Sequence, residues 1–334
     1  MAKIENTKTY SGQMLEKIFF RPMLSGPNAI DLGIKIMYNM PVPTTLQFWK
    51  RSGDILQKFT AGGWNGATSS SKFQKTISLS KVKAEIGYSA ADYFSTVFEL
   101  ITNRADINME DLSGSELEEA ETALFREAIA ESIRATMWLG DTSRSGSYNT
   151  FDGFIKRLTE DAGNSTNDIK KIDIPTSFSD GSDPDAGENL LKSLWENASN
   201  TLKSFKSQGN LVYLVTSDIY SKYEEELDSA SLEVAYLAKQ NGRERLSYRG
   251  IPVIDVELTA YLEVLTDMPK SFAILTDRRN LALAVNTADF PGAEIRMWYN
   301  PDLMENRQRA VFMAGCDYLL PELISFAVPV TSEP

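Results

Sequence analysis

The chain has 334 residues, a net charge of −12 and no histidine. Its length suits two ordinary domains or one elongated subunit with several lobes, and an apolar fraction of 42% is enough for real cores. Without histidine, Ser-His-Asp and Cys-His catalysis and every zinc site that needs imidazole are excluded. The acidic balance argues against a conventional nucleic-acid-binding protein, because such proteins normally carry a basic patch.

Residues 1–45 favour an extended arm over a packed helix. Pro22 and Pro27 interrupt the stretch RPMLSGPNAI, and Pro41 and Pro43 close the segment. We expect this arm to lie on a neighbouring molecule, and the alternative is a simple lead-in to the first domain. The start of the chain lacks a signal-peptide pattern and no run is long enough to span a bilayer, so we expect a cytoplasmic protein.

Residues 46–95 are predicted to form a long β-hairpin. Its tip is TAGGWNGATSSS, in which Trp64 is followed by the turn-forming pair Asn65 and Gly66. The outgoing side alternates through Phe73, Ile77, Leu79, Val82 and Ile86. The alternation slips after Leu79, which predicts a bulge or the end of a strand. A hairpin that is polar on both faces has no core of its own, so we expect it to need the surface of an adjacent subunit.

Residues 113–139 give the clearest helical pattern in the chain. Ser115 and Glu118 have the spacing of a capping box. One apolar stripe is predicted from Leu117, Leu124, Ala128, Ile129, Ile133 and Met137. At about 1.5 Å per residue this helix is about 35–40 Å long, and we expect it to act as a spine across which strands pack.

The second half of the chain predicts an α/β lobe followed by further strands. After a Ser-, Asp- and Gly-rich linker at 160–189 come an amphipathic helix (188–205), a buried strand (210–217), a second helix and the strand Ile251–Val256. A long alternating stretch then runs over 293–328. The only cysteine, Cys316, lies in the apolar run VFMAGCDYL, which predicts a buried structural thiol.

No nucleotide-binding or metal-binding motif is present, and we predict no catalytic residue, cofactor or metal. Asp180, Asp183 and Asp185 fail the calcium-loop spacing, since the sixth-position glycine and the twelfth-position glutamate are missing. Their composition favours a flexible acidic linker.

Contact residues are the remaining candidates for function. Arg278 and Arg279 are the best basic doublet, and they suit either nucleic acid or an intersubunit salt bridge. Trp64 and the Trp298–Tyr299 pair are candidate anchors, because aromatic side chains dominate interface hot spots, although Trp298 equally suits a core.

The order of these segments resembles the major capsid proteins of tailed bacteriophages with the HK97 fold. GIPVIDV (250–256) and LTDRRNLALAV (275–285) look like late A-domain passages of that family, and RAVFMAGCDYLLPELIS looks like its closing P-domain strands. The resemblance implies an α+β, HK97-like capsid fold. Its parts are an N-terminal arm (1–45), an E-loop β-hairpin (46–95), a P-domain with a long spine helix and antiparallel strands (96–186), an α/β A-domain (187–290) and returning P-domain strands (291–334).

The resemblance also implies a function in assembly. Copies would form pentamers and hexamers of an icosahedral virion capsid, assembled in the cytoplasm of a host bacterium. The shell would enclose double-stranded DNA without sequence-specific binding and without a membrane, and a separate scaffolding protein and a portal would be its partners. Trp64, Asn65, Gly66, Arg278 and Arg279 are the interface candidates.

Two properties of some family members are not expected here. The arm begins almost at once, so we expect no cleaved N-terminal scaffolding domain. A lysine–asparagine cross-link between copies would use Lys72 or Lys75 with Asn300, and no motif supports it.

Three alternatives stay open. A cellular encapsulin-like compartment would use the same fold, although its subunits generally lack a long arm before the hairpin. A phage tail or connector protein would form rings or tubes. A carboxylate- or metal-dependent enzyme would have to use the acidic cluster from Asp180 to Glu188.

Overall fold

The computed structural model describes residues 8–10, 32–38, 44–51, 70–89, 116–162, 169–176, 178, 182–230, 246–265, 267–286 and 294–329. These residues form two six-stranded sheets, a two-stranded hairpin and helices that pack between and beside the sheets. No helix within these ranges combines the length and the apolar character needed to cross a membrane.

The first sheet is built around one long strand. Its strands are β1 (Lys8–Tyr10), β2 (Lys35–Tyr38), β5 (Ser80–Ser89), β11 (Leu281–Asn286), β12 (Glu294–Asn300) and β13 (Glu305–Tyr318). β13 pairs antiparallel with β12, with β11 and with β5, while β2 runs parallel to β11 and β1 lies antiparallel beside β12. Alternating residues of β13 are buried up to Met313, as expected for a strand with one face on a core, and its last five residues are all buried.

A two-stranded hairpin precedes β5. β3 (Thr44–Arg51) and β4 (Ser70–Ile77) pair antiparallel from Thr44–Ile77 to Arg51–Ser70. β4 ends at Ile77, and β5 begins at Ser80, so the strand end predicted from the slip after Leu79 is confirmed. The predicted tip, with Trp64, Asn65 and Gly66, lies outside the described residues.

The predicted spine helix is confirmed as α1 (Glu116–Leu139), which at 24 residues is about 36 Å long. Phe125, Ile129, Ile133 and Met137 are buried, whereas Ala128 is exposed, so its place in the predicted stripe was wrong. Ser115, the predicted cap, lies outside the described residues. The last turn of α1 is buried on all sides because both sheets contribute to the core around it. Trp138 packs there between Phe154 and Phe272, with ring centroids 5.4 and 5.9 Å away.

The second sheet forms the predicted α/β lobe. Its strands, in the order in which they pair, are β6 (Lys170–Ile174), β14 (Ile324–Pro329), β10 (Ala273–Asp277), β7 (Leu211–Val215), β9 (Ile251–Asp255) and β8 (Ser247–Tyr248). The remaining helices are α2 (Phe154–Ala162), α3 (Ala186–Asn197), α4 (Asn200–Ser204), α5 (Ser217–Ala230) and α6 (Thr259–Val264). The predicted helix–strand–helix–strand order is confirmed, with β7 and β9 parallel and α5 between them in the chain. The single helix predicted over 188–205 was wrong, because Ala198 and Ser199 are extended and divide it into α3 and α4.

Sheet membership differs from the order of segments along the chain. β6 and β14 belong to the second sheet, although both fall in segments that we assigned to the P-domain, and β11 belongs to the first sheet. β2 lies in the first sheet of its own chain rather than in an extended arm. Met37 within it is buried, as are Leu32 and Ile34 just before it. Local patterns predict a strand but do not predict its partner, so the segment boundaries themselves stay predictions.

Candidate assembly surfaces

The root of the hairpin is fixed by close packing against the first sheet. Ile77, at the end of β4, is 1% exposed and joins a small core with Met37, Ala282, Ala284 and Leu319. The chain then passes Gly315 of β13, where an added Cβ would lie 2.3 Å from the carbonyl oxygen of Ser78. Only glycine leaves room for this approach of two backbones.

A charged cluster ties the hairpin to two other elements. The side chain of Asp317 on β13 is 2% exposed and lies between Lys75 Nζ of β4, at 3.2 Å, and Arg157 Nη1 of α2, at 3.3 Å. Burial raises the pKa of Asp317, and the two cations offset part of that effect. A carboxylate removed from water in this way needs both partners to compensate its charge.

Further contacts surround this cluster. Arg157 donates from Nη2 to Ser78 Oγ at 3.4 Å, and Lys75 Nζ lies 3.9 Å from the ring centroid of Tyr318. The Tyr318 hydroxyl hydrogen bonds to Asp161 of α2. Two elements, β13 and α2, therefore fix where the hairpin leaves the body of the subunit.

A second set of polar contacts joins the spine helix to the α/β lobe. Glu131 of α1 accepts hydrogen bonds from Arg134, at 3.0 Å, and from the hydroxyl of Tyr261 on α6. Burial would raise the pKa of Glu131, but these two hydrogen bonds lower it. Arg144 pairs with Asp267 at 2.7 Å and also donates to the carbonyl oxygen of Leu139, at the end of α1. The lobe is thus held to the spine by side chains as well as by the shared core.

One lysine, Lys156, binds two carboxylates of the loop between α1 and α2. Lys156 Nζ lies 2.6 Å from Asp141 Oδ1 and 2.9 Å from Asp152 Oδ1, and Asp152 also accepts from the backbone and hydroxyl of Thr142. Burial would raise the pKa of Asp141, but hydrogen bonds from Lys156 and Ser143 outweigh it and lower the pKa to about 2. The pKa of Asp152 is lowered by the same kind of contacts.

This loop predicts a loss of stability in acid. The pKa of Asp141 falls from 3.8 in its unperturbed state to about 2 when folded, so its contribution is complete above about pH 4 and is lost as the pH falls towards 2. The shift corresponds to about 2 kcal/mol. We expect Lys156→Met to remove most of this dependence in urea unfolding of the unassembled subunit at pH 5 and pH 2.5. Asp228→Asn, an exposed change on α5, is the control, and an unaltered acid dependence in Lys156→Met would contradict the assignment.

Two helices of the lobe are joined by a buried carboxylate. Glu226 of α5 accepts hydrogen bonds from the backbone N–H groups of Gly187 and Glu188, both at 2.7 Å, at the start of α3. Burial raises the pKa of Glu226, partly offset by these bonds. A Cβ on Gly187 would lie 2.9 Å from the backbone nitrogen of Tyr223, so glycine permits the close approach of the helices. Glu226 thus caps a helix other than its own.

Glu226→Ala is expected to lower the free energy of unfolding by about 2 kcal/mol, because two N–H groups at the start of α3 lose their acceptor. Glu226→Gln retains one acceptor oxygen and should cost less. Glu225→Ala, an exposed change at the adjacent position, should stay within about 0.5 kcal/mol of the parent chain. Chemical denaturation measures all three, and equal costs at positions 225 and 226 would show that the cap is unimportant.

Both arginines of the basic doublet, Arg278 and Arg279, contact residues of their own chain. Arg279 binds Asp277 through two hydrogen bonds, Nε to Oδ1 at 3.0 Å and Nη2 to Oδ2 at 2.7 Å. Arg278 packs its aliphatic stem over Gly33, where an added Cβ would lie 2.6 Å from Arg278 Cδ. The role of this doublet at an intersubunit contact stays a prediction.

The other nominated side chains divide between surface and core. Trp298 on β12 is half-buried, with the guanidinium of Arg309 5.8 Å from its ring centroid. Lys75 and Asn300 were considered above for a cross-link between copies. Asn300 accepts a hydrogen bond from the backbone of Asp302, and Lys75 forms an ion pair with Asp317, so both side chains already have partners within the subunit. Cys316 is fully buried, as predicted, and burial raises the pKa of its thiol.

The acidic stretch before α3 is organised around a helix start. Asp183 accepts from the backbone of Asp185 and from the side chain of Asn189, both at 3.1 Å. Asp180 lies outside the described residues. Among the described residues, no group of three or more carboxylate or thiol side chains is placed to share a metal ion.

Sequence reasoning missed the cluster at the hairpin root. Lys75 and Asp317 are 242 positions apart in the chain, so no local pattern links them. One signal was present: Asp317 follows the apolar run AVFMAGC, and a carboxylate inside a buried strand requires a cation beside it.

Comparisons with known proteins identify the fold. A chain of the satellite phage P4 procapsid, a structure that includes size determination (Sid) protein, superposes over 97% of this chain and 93% of its own length, with a TM-score of 0.57 and 12% identity. A chain of the capsid of an empty GTA particle matches over 90% and 89%, with a TM-score of 0.50 and 12% identity. No family model matches the sequence, and no curated protein matches it.

The chain therefore has an α+β, HK97-like capsid fold over nearly its whole length. This bears out the resemblance drawn from the order of the segments. At 12% identity the likeness defines the fold, and function has to be argued from it.

Proposed function

We propose that this chain is the major capsid protein of a tailed bacteriophage. Copies would join as pentamers and hexamers in an icosahedral shell around the phage genome. The observation that carries the proposal is the match of nearly the whole chain to nearly the whole length of a procapsid chain, so no large part is left over for another task. We place the protein in the virion and its assembly in the host cytoplasm.

The hairpin root supports an interfacial role. A two-stranded hairpin cannot bury enough surface to be stable by itself, and this one is anchored at its base by Ile77, Gly315 and the Asp317 cluster. In the proposed shell the hairpin of β3 and β4, together with the parts of segment 1–45 outside β1 and β2, laps over adjacent copies, while the lobe (187–290) meets its equivalents around each capsomer axis. Symmetry multiplies many individually weak contacts into a stable assembly.

Charge supports confinement of DNA rather than tight binding. With a net charge of −12, the chain is repelled on average by a polyanion, and this suits a wall that encloses DNA without gripping it. Scaffolding and portal functions would come from separate proteins. The proposed role is structural, with no catalytic step.

Sedimentation velocity and light scattering of the purified, nuclease-treated chain test this function. We expect a rapidly sedimenting particle of narrow size distribution. It should form either in plain buffer or after crowding agents and high salt are added. A chain that remains monomeric under all of these conditions would count against a shell protein. Rings or tubes of variable length would favour a tail or connector protein.

A further inference from the structure

An apolar groove lies between the spine helix and the first sheet. It has a volume of about 360 Å³ and runs between β5, at Val82–Ile86, and the α1 segment from Phe125 to Thr136. Phe125, Ile129, Ile133 and Phe312 line it, and each is at most 5% exposed. Ile86, at the edge, is 41% exposed. The groove is therefore apolar inside and open to solvent.

The turn between β12 and β13 presents an apolar pair. Leu303 is 58% exposed and Met304 is 60% exposed, and they are adjacent in the chain. Among the described residues only two other large hydrophobic side chains, Ile86 and Val264, are exposed. Leu303 and Met304 are thus the only two neighbouring residues in the chain, among those described, that both expose a large apolar side chain.

The conformation of Met304 adds a second observation. Its φ angle is 52°, in the left-handed region that glycine or asparagine normally occupies. A methionine at this position makes the turn less stable than a glycine would. Side chains held in such conformations concentrate at functional sites.

The same chain does not place this turn in its own groove. Glu305, next to the turn, pairs with Ser89, whereas Ala84 of the groove pairs with Ala310. Five residues of extended strand, about 17 Å, separate Glu305 from the middle of the groove, and three residues, about 10 Å, separate it from the edge at Ile86. The occupant of the groove, if it is this turn, comes from another copy.

Each of the two surfaces carries one exposed charge that is opposite in sign to a charge on the other. Asp302 in the turn is exposed and acidic. Lys83 at the rim of the groove has a side chain that is 69% exposed, and its partner Glu85 is also paired with Arg309 at 2.8 Å. A carboxylate brought by a second copy would therefore meet a lysine whose present partner already has another cation.

We infer that Leu303 and Met304 of one copy insert into the groove between α1 and β5 of a second copy. This contact is head-to-tail, since turn and groove are different surfaces and every copy offers one of each. Repeated contacts of this kind form rings where the rotation between copies closes, as the proposed capsomers require. The inference rests on the proposed function and adds one intersubunit contact to it.

Site-specific disulfide formation tests the contact directly. The native Cys316 is fully buried, so introduced cysteines report without background. Chains carrying Met304→Cys and chains carrying Ser132→Cys, which lines the groove, are mixed in equal amounts, concentrated or assembled, and oxidised. We expect a covalent dimer whose linked peptides contain residues 304 and 132, because a disulfide requires Cα atoms about 4.4–6.8 Å apart. Val264→Cys mixed with Ser132→Cys is the control, since Val264 is an exposed apolar residue away from the turn.

Two results would overturn the inference. Met304→Cys chains that link only to each other would show that turns meet turns. Absence of the 304–132 bond would show that the groove is not the partner surface, whether particles form or the chain stays soluble. Particles without this bond would leave the proposed function intact, so the two failures are distinguishable.

Met304→Gly separates assembly from folding. Glycine relieves the left-handed backbone, so the unassembled subunit should unfold at the same or a higher urea concentration. Assembly, followed by light scattering, should slow by about tenfold or more, since a central apolar anchor is lost. Val264→Gly has no such effect on assembly in this account. Unchanged assembly in Met304→Gly would contradict the inference.

Discussion

Gly315→Ala is expected to lower the free energy of unfolding of the subunit by about 3 kcal/mol, because the new methyl group would overlap a backbone atom. The added Cβ would lie 2.3 Å from the carbonyl oxygen of Ser78. Neither side can move easily, since Gly315 is paired with Ala284 in the first sheet and Ser78 lies directly between β4 and β5. The clash falls at the hairpin root, so we also expect a sharp loss of particle yield.

Gly87→Ala is the matched control. Gly87 lies on β5 in the same sheet, and its added Cβ would meet nothing closer than Glu305 Oε2 at 3.5 Å, an ordinary contact. Its effect should stay within about 0.5 kcal/mol. Urea unfolding of the unassembled chains, with tryptophan fluorescence as the signal, compares the two. Equal stability of both variants would mean that β13 and the hairpin root are not in close contact.

Asp317→Asn should be the second severe change, at about 3 kcal/mol, because it keeps the shape of the side chain but leaves Lys75 and Arg157 without their shared anion. The control is Glu305→Gln on the same strand. Glu305 pairs with Arg307 at 3.2 Å, but both side chains are about one-third exposed, and such pairs contribute less than about 1 kcal/mol.

A double-mutant cycle isolates the charge term. If Asp317 and Lys75 compensate each other, Asp317→Asn should cost less in a Lys75→Met background than in the parent chain. Chemical denaturation of the four chains gives the coupling. If the two changes in the free energy of unfolding are strictly additive, Lys75 does not stabilise Asp317. The cost of Asp317→Asn would then have to come from Arg157 or from packing.

Local patterns predicted the elements that local chemistry controls. The spine helix follows from the spacing of Ile129, Ile133 and Met137, and the end of β4 from the slip after Leu79, since both depend on neighbours in the chain. The strand–helix–strand order of the lobe was predictable in the same way. These elements and their order were enough to suggest the fold.

Long-range partners could not be predicted in this way. The stretch 293–328 predicts strands, yet nothing at its end indicates that β10 and β6 are the neighbours of β14. Gly315 is one glycine among 20, and only its approach to Ser78 distinguishes it. Asp317 was detectable as a charge in an apolar run, but its partners come from two distant elements.

The anchoring of the hairpin connects fold to function in this account. A shell built from many small overlaps requires each overlapping element to leave its subunit at a defined place. The contacts of Ile77, Lys75 and Arg157 with the first sheet and with α2 define that place. Disruption of the root is therefore expected to impair assembly even in variants that still fold.

Electron cryomicroscopy of the purified, nuclease-treated chain under assembly conditions tests the central claim most directly. We expect closed shells of uniform diameter, with pentameric and hexameric groups of subunits and with the hairpin of each subunit resting on a neighbour. Isolated subunits that never close into shells, or open rings and tubes, would contradict it.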